Sequence, residues 1–237
     1  VMPVDLYGLP ADYDAIVPVA EAHGLRIIAD GAQAFGGKHR GQWIGNIVEI
    51  TATSFYPTKS LGGYGDGGAI FCQDADFADR MRSIRWHGTG DNRKESIRVG
   101  INGRCDSIQC AVVAEKLGLF EAERDRRMAA AAIYNDRLDG KVERQMPLDG
   151  QENGYGLYTV RVPNRTEVRA KLSDAGIPSG IYYDMAVHQM PAFTHCAEYG
   201  PLPECEAAAN ESLSLPMHPY LSAWQVEKVC DVLLAAM

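Results

Sequence analysis

An α/β fold around a mainly parallel sheet is what this sequence of 237 residues predicts. Short, continuously apolar bursts of strand length alternate with one-faced helical segments, the pattern of strands covered on both faces. Polar, glycine-rich loops follow those bursts, where loops at strand ends carry chemistry in open α/β sheets. Near residue 120 the pattern changes, which predicts a second, smaller α+β part and a boundary dividing 1–120 from 121–237.

The elements follow in order. VMPVDLYG enters an extended, apolar segment at once, from Val1 and not an initiator methionine, so the beginning reads as cut off. In PADYDAIVPVAEAHG, Tyr13, Ile16, Val17 and Ala20 recur at helical spacing, with Pro10 near the start and Gly24 where a C-terminal cap belongs. LRIIAD is a buried strand ending in an acid, and the polar GAQAFGGKHRGQ loop follows. VEITATSF is a second strand, leading into YPTKSLGGYGDGG, from which a third, AIFCQ, emerges. The helix DADFADRMRSIRW then puts Phe77, Met81 and Ile84 on one face.

From Cys105 a long helical region is broken or bent near Gly118. GLYTVRVP alternates as a strand, TEVRAKLSDAG is a short helix ended by glycine, and PSGIYY is another strand. After LSLPMHPYL, Ser222 and Gln225 form a capping-box pattern at the head of SAWQVEKVCDVLLAAM, where Val226, Val229, Cys230 and Leu233 share a face. That capped helix reads as the end of the chain.

Composition narrows the function classes. A net charge of -8 excludes a general nucleic-acid or membrane-surface partner, which needs a basic face. No apolar run approaches the roughly 20 residues that span a bilayer, and no signal-peptide pattern opens the chain, so a cytoplasmic location is expected. The six cysteines are scattered without a CxxC pair or a His cluster at metal spacing, which predicts reduced thiols and no metal site.

Chemistry concentrates in SFYPTKSLGGYGDGG. Lys59 follows a strand by a few residues among hydroxyls and glycines, and a desolvated lysine amine is nucleophilic enough to form an imine with an aldehyde. The glycines permit close backbone approach to a flat, phosphorylated ligand, and Ser54 and Thr58 offer hydroxyl donors. On spacing alone a generic anion-binding turn or a solvated loop is equally open; a P-loop is excluded by the glycine order. Asp30, at the exit of a buried strand with Gln33 close behind, is either a carboxylate aimed into a site or a cap of the next turn.

Together these segments resemble the DegT/DnrJ/EryC1/StrS sugar aminotransferases, a branch of the fold-type I pyridoxal-phosphate enzymes. The resemblance runs the length of the chain, through PVDLYGLPADYDAI, IIADGAQAFGGKHRG, SFYPTKSLGGYGDGGAIF, HGTGDNRKESIRVGINGRCDSIQCA, VHQMPAF and LSLPMHPYL. It implies an aspartate aminotransferase-like fold in which 1–120 is the C-terminal part of an incomplete large domain and 121–237 a small C-terminal domain. It also implies pyridoxal 5'-phosphate (PLP, alternating with PMP), glutamate as amino donor, and a homodimer with shared sites. The wording of the DGAQ, YPTK and IRVGINGR segments is similar to enzymes that aminate the 3-keto position of a UDP-linked N-acetylated hexuronic acid for surface polysaccharides.

By matching position, Lys59 resembles the Schiff-base lysine, Asp30 the partner of the pyridinium nitrogen, Gln33 the neighbour of the ring's phenolic oxygen, and Ser54 a phosphate ligand. Asn102 matches a loop residue reaching the neighbouring subunit's cofactor phosphate, and Arg104 one directed at an anionic substrate group. His188 matches a position near substrate, with a structural role equally open, whereas His87, His218 and Tyr56 read as structural. The basic run Arg93, Lys94, Arg98 and Arg104 suits a diphosphate or uronate, or is a solvated loop.

Two rivals follow from the same resemblance. A sugar dehydratase on this scaffold carries histidine in place of the lysine, and Lys59 is present. The family is about half as long again as this chain, so an N-terminally truncated, catalytically incompetent relative or interaction domain is the alternative, with open core surface that promotes aggregation.

Overall fold

The computed structural model describes residues 1–193, 195, 196 and 200–237. The chain forms two compact units, Val1–Arg124 with Pro147–Gly156, and Asp125–Met146 with Leu157–Met237.

In the first unit, α1 (Tyr13–Ala22) begins where the Asp12 carboxylate accepts the Ala15 amide at 3.1 Å and ends before Gly24, whose φ of +62° suits a residue without Cβ. Tyr13 and Ala20 on its inner face pack with Ile27, Ala29, Ile44 and Val48. These surround β1 (Ile28–Asp30), which pairs in parallel with β4 (Ile50–Ser54), the middle strand of the main sheet. Between them β2 (Lys38–His39) and β3 (Gln42–Trp43) form a small hairpin, joined on its other side by β7 (Gln151–Glu152) of the returning segment.

The main sheet runs β1-β4-β5, with β5 at Gly68–Cys72. The β1–β4 pairing is parallel, in register Asp30↔Ala52. The β4–β5 pairing is antiparallel, because the two strands are joined by the Lys59 loop with no crossover helix to reverse direction. α2 (Ala75–Arg85) follows, capped by Asp74. Its predicted face, Phe77, Met81 and Ile84, is not buried; Met81 and Ile84 line an open groove of about 560 Å³ with Ile70 and Ile101.

The predicted break near Gly118 separates α3 (Ser107–Leu117) from α4 (Phe120–Leu138). The division between units falls within α4.

The second unit is built on the antiparallel sheet β6-β8-β9, with β6 at Glu143–Arg144, β8 at Tyr158–Arg161 and β9 at Ser212–Leu215. α5 (Arg165–Asp174), α6 (Pro203–Glu211) and α7 (Ala223–Ala236) complete it. Val160, Leu213, Val168, Leu172, Val226 and Leu233 are buried, each aliphatic side chain contributing about 1.5–3 kcal/mol by leaving water. Arg127, Ala130, Tyr134 and Leu138 recur at helical spacing on the buried face of α4, which the charged residues around them masked in the sequence. The Ser222–Gln225 capping box is present as predicted. The strand predicted at PSGIYY is absent: Gly180 makes only a single bridge to Ser214, and the chain leaves the sheet.

Candidate active site

Parallel neighbours β1 and β4 end side by side, and they deliver the candidate residues. Asp30 is the last residue of β1, and its Oδ1 accepts the Ala32 amide at 3.0 Å. Ser54 is the last residue of β4; its Oγ accepts the Tyr56 amide at 3.1 Å, which turns the chain out of the strand. Gln33 sits in the loop after β1. Its Oε1 accepts the Tyr7 amide at 2.7 Å, an interaction that holds Tyr7 at φ +63°, a left-handed conformation costly for a non-glycine residue.

The Lys59 loop is a tight turn. The Lys59 amide donates to the Tyr56 carbonyl at 2.9 Å and the Gly63 amide to the Phe55 carbonyl at 2.7 Å. A Cβ at Gly62 would lie 2.7 Å from the carbonyl oxygens of Tyr56 and Pro57, so only glycine allows the chain to fold back so closely. α3 clamps the far side: Gln109 Oε1 accepts the Tyr64 amide at 2.7 Å, and Lys116 Nζ donates to the Gly62 carbonyl at 2.5 Å.

Burial pushes the Lys59 ammonium down from its ordinary lysine value, and the Asp30 carboxylate, close enough to act on it, partly offsets that shift. A lysine so placed loses its proton more readily than one on the surface and retains an opposite charge nearby. Ser60 Oγ, next in sequence, is buried with no hydrogen-bond partner among the described residues.

Not all candidates converge. Asn102 and Arg104 are both exposed, with Asn102 Oδ1 accepting from Arg104 Nε and Nη2 at 3.3 and 3.2 Å. The Arg104 guanidinium lies over the Trp86 ring at 4.3 Å. Both line a cavity of about 610 Å³ with Trp86 and Arg85 that includes none of Asp30, Gln33, Ser54 and Lys59. His188 belongs to the second unit, where its Nε2 meets Glu206 Oε1 at 3.1 Å. Of the residues read as structural, His87 and Tyr56 are exposed, and His218 Nδ1 accepts the Tyr220 amide at 3.2 Å. In the basic run, the Arg93 guanidinium also lies over the Trp86 ring, 4.7 Å from its centroid.

Sequence reasoning passed over Asp5, Tyr13 as a polar group, Ser60 and Gln109. Asp5 is fully buried directly beside Asp30, and only its burial sets it apart from an ordinary loop aspartate. Gln109 had a weak signal, a polar residue on the inward side of a helix facing the glycine-rich loop.

Residues 1–234 match the sequence profile of the DegT/DnrJ/EryC1/StrS aminotransferase family. The chain belongs to that family. Among DegT/DnrJ/EryC1/StrS relatives, it is 41% identical over 235 residues to the UDP-2-acetamido-2-deoxy-3-oxo-D-glucuronate aminotransferase of Pseudomonas aeruginosa, an alignment covering 98% of this chain and 64% of that protein. It superposes on a DegT/DnrJ/EryC1/StrS aminotransferase from Brucella abortus with a TM-score of 0.94 at 43% identity, covering 98% of this chain and 62% of the other. Streptomyces venezuelae DesV, solved in complex with a ketimine intermediate, matches with a TM-score of 0.93 at 37% identity, over 99% and 64% of the two chains. The chain therefore spans under two thirds of the length of these relatives, and the α/β aminotransferase fold expected from sequence is the one it shares with them.

Proposed function

We propose that this chain carries the lysine half of a PLP-dependent site that transfers an amino group from glutamate to a nucleotide-linked keto-sugar. The observation that carries the reading is the pairing of Lys59, its proton affinity lowered by burial, with Asp30 at the end of the adjacent parallel strand. The Pseudomonas relative acts, by its name, on a UDP-linked 3-oxo-glucuronate, and we take a UDP-linked 3-keto-N-acetylhexosamine or its uronate as the substrate class, for surface polysaccharide synthesis.

The donor set fits the cofactor. An amine of lowered proton affinity suits attachment to an aldehyde, a carboxylate coupled to it suits a protonated ring nitrogen, and the Ser60 hydroxyl, without a partner among the described residues, is a buried donor within the same loop. When bound, PLP supplies an electron sink for a carbon that loses a proton next to nitrogen. Lys59 is then the anchor and, once released, the acid and base that moves a proton at the donor's α-carbon. Asp30 would supply negative charge for the ring nitrogen, Gln33 would serve the phenolic oxygen, and Ser54 would serve the phosphate. Asn102 and Arg104 serve the neighbouring subunit's site in a homodimer, Asn102 at phosphate and Arg104 at a substrate anion, for which its planar fork is suited. His188 matches a substrate-side position of the family, and its 3.1 Å contact with Glu206 is equally consistent with a structural role. Residues 1–120 act as the C-terminal part of the cofactor-binding domain and 121–237 as the small domain. All six cysteines are free.

The test is the visible absorbance of the purified chain with added PLP, before and after glutamate, in wild type and Lys59→Ala. A lysine-dependent band that glutamate bleaches supports the reading. A band that persists in Lys59→Ala removes Lys59 from its role.

A further inference from the structure

Asp30 is held from behind by a second carboxylate. The Asp5 amide donates to the Asp30 carbonyl at 2.9 Å, the Asp30 amide to the Pro3 carbonyl at 2.9 Å, and Val4 and Asp30 form a parallel bridge. The strand end bearing Asp30 is thus pinned to the 3–5 segment on one side and to β4 on the other. The Asp5 side chain is wholly buried, its Oδ1 accepting the Ala11 amide at 2.8 Å and the Tyr13 hydroxyl at 2.9 Å, with Oδ2 3.1 Å from the same hydroxyl.

The groups facing Asp5 are the Ala11 amide and Tyr13 from α1 and its approach, Asp30 on β1, and His39 on β2, whose charge when protonated would favour the Asp5 carboxylate. Burial pushes the Asp5 carboxyl up to about 6, with Asp30 adding to the rise and the amide, Tyr13 and His39 opposing it. Burial together with the two carboxylates pushes the Tyr13 hydroxyl up as well, so it stays a donor. A buried carboxylate that costs stability when ionised, with its bonds directed to keep it ionised, is the arrangement found where the charge itself is used.

We infer that Asp5 is a positioning residue for Asp30: its carboxylate, fixed by Tyr13 and the Ala11 amide, supplies negative potential behind the strand end and keeps the group that Asp30 faces protonated. The inference rests on the proposed pairing of Asp30 with the ring nitrogen. Asp5 touches no reacting atom; it acts through Asp30.

The experiment is a pH titration of the lysine-dependent absorbance of the PLP-loaded chain in wild type, Asp5→Asn, Tyr13→Phe and Glu49→Gln, the last an exposed charge change as control. Removing one nearby negative charge lowers the midpoint of the protonated form by about one pH unit in Asp5→Asn. Tyr13→Phe, which keeps the carboxylate but loses a bond that favours its charge, moves the midpoint the same way by less, and Glu49→Gln leaves it unmoved. If wild type shows no lysine-dependent band, the proposed function fails. If the wild-type band is present and Asp5→Asn titrates as wild type does, this inference fails and the function stands. Should Asp5→Asn not fold, an unmoved midpoint in Tyr13→Phe overturns the inference by itself.

Discussion

Gln109 reaches from α3 to accept the Tyr64 amide at 2.7 Å, and its side chain lies where Cβ atoms on Gly63 and Gly65 would stand, 2.9 and 3.0 Å from its amide oxygen and nitrogen. A helix side chain and two glycines therefore fix the shape of the loop that carries Lys59. Gln109→Ala is expected to cost about 1 kcal/mol of stability, the net worth of one such bond, as read by urea denaturation. It should also weaken PLP retention, read by dialysis of the loaded chain. Unchanged retention would show that the clamp does not govern the lysine.

Lys59 should be the most reactive of the lysines towards aldehydes. Burial lowers its proton affinity, so more free amine is present at pH 8 than at an exposed lysine. Brief treatment with PLP and borohydride followed by peptide mapping should find Lys59 modified first; preferential labelling at Lys38 or Lys94 would contradict this.

Asp5 gives the chain a pH-dependent stability of defined sign. Its folded value of about 6 lies above the ordinary 3.8, so the folded state favours the neutral acid. That contribution is fully present below pH 3.8 and is lost as pH rises through 6. It follows that Asp5→Asn is more stable than wild type at pH 7.5 by up to about 3 kcal/mol, reduced by any hydrogen bond the amide fits less well. Near pH 4 the advantage should shrink towards zero. Denaturation curves at both pH values check it, and an equal difference at the two would rule the account out.

In the second unit, Leu233 of α7 is fully buried, as are Leu172 of α5 and Val160 of β8. Leu233→Ala should cost about 2–5 kcal/mol through lost transfer energy and a residual cavity. Ser222→Ala, at the exposed cap of the same helix, should cost only about 1 kcal/mol. Thermal melts of the two variants should rank in that order.

Much of the architecture was legible. α1 carries its own cap and terminating glycine, α5 a terminating glycine and α7 a capping box, and the break at Gly118 is where a weak helix former interrupts the run. β1, β4 and β5 were visible as apolar bursts bounded by turn residues. Less legible was PSGIYY, whose apolar residues suggested a strand although only Gly180 meets a partner. Strand pairing is non-local, and a short run has no local feature that reports whether a neighbour is within reach. The same reason hid the direction of β5 and the return of 147–156 to the first unit, where Gln151 Nε2 donates to the Pro10 carbonyl at 3.0 Å.

By itself the sequence determined which residue types stand at which strand ends: Asp30 closing one apolar burst, Lys59 in the glycine-rich loop after another, and motifs enough to name the family. What only the tertiary structure decided is the environment of those groups. Parallel pairing of β1 with β4 brings Asp30 within electrostatic reach of Lys59, and packing of α3 shapes the loop between β4 and β5. The covering of the 3–5 segment by α1 turns Asp5 from an ordinary acid into a buried charge beside the site. Proton affinity depends on burial and on neighbours distant in sequence, and those exist only once the chain has folded.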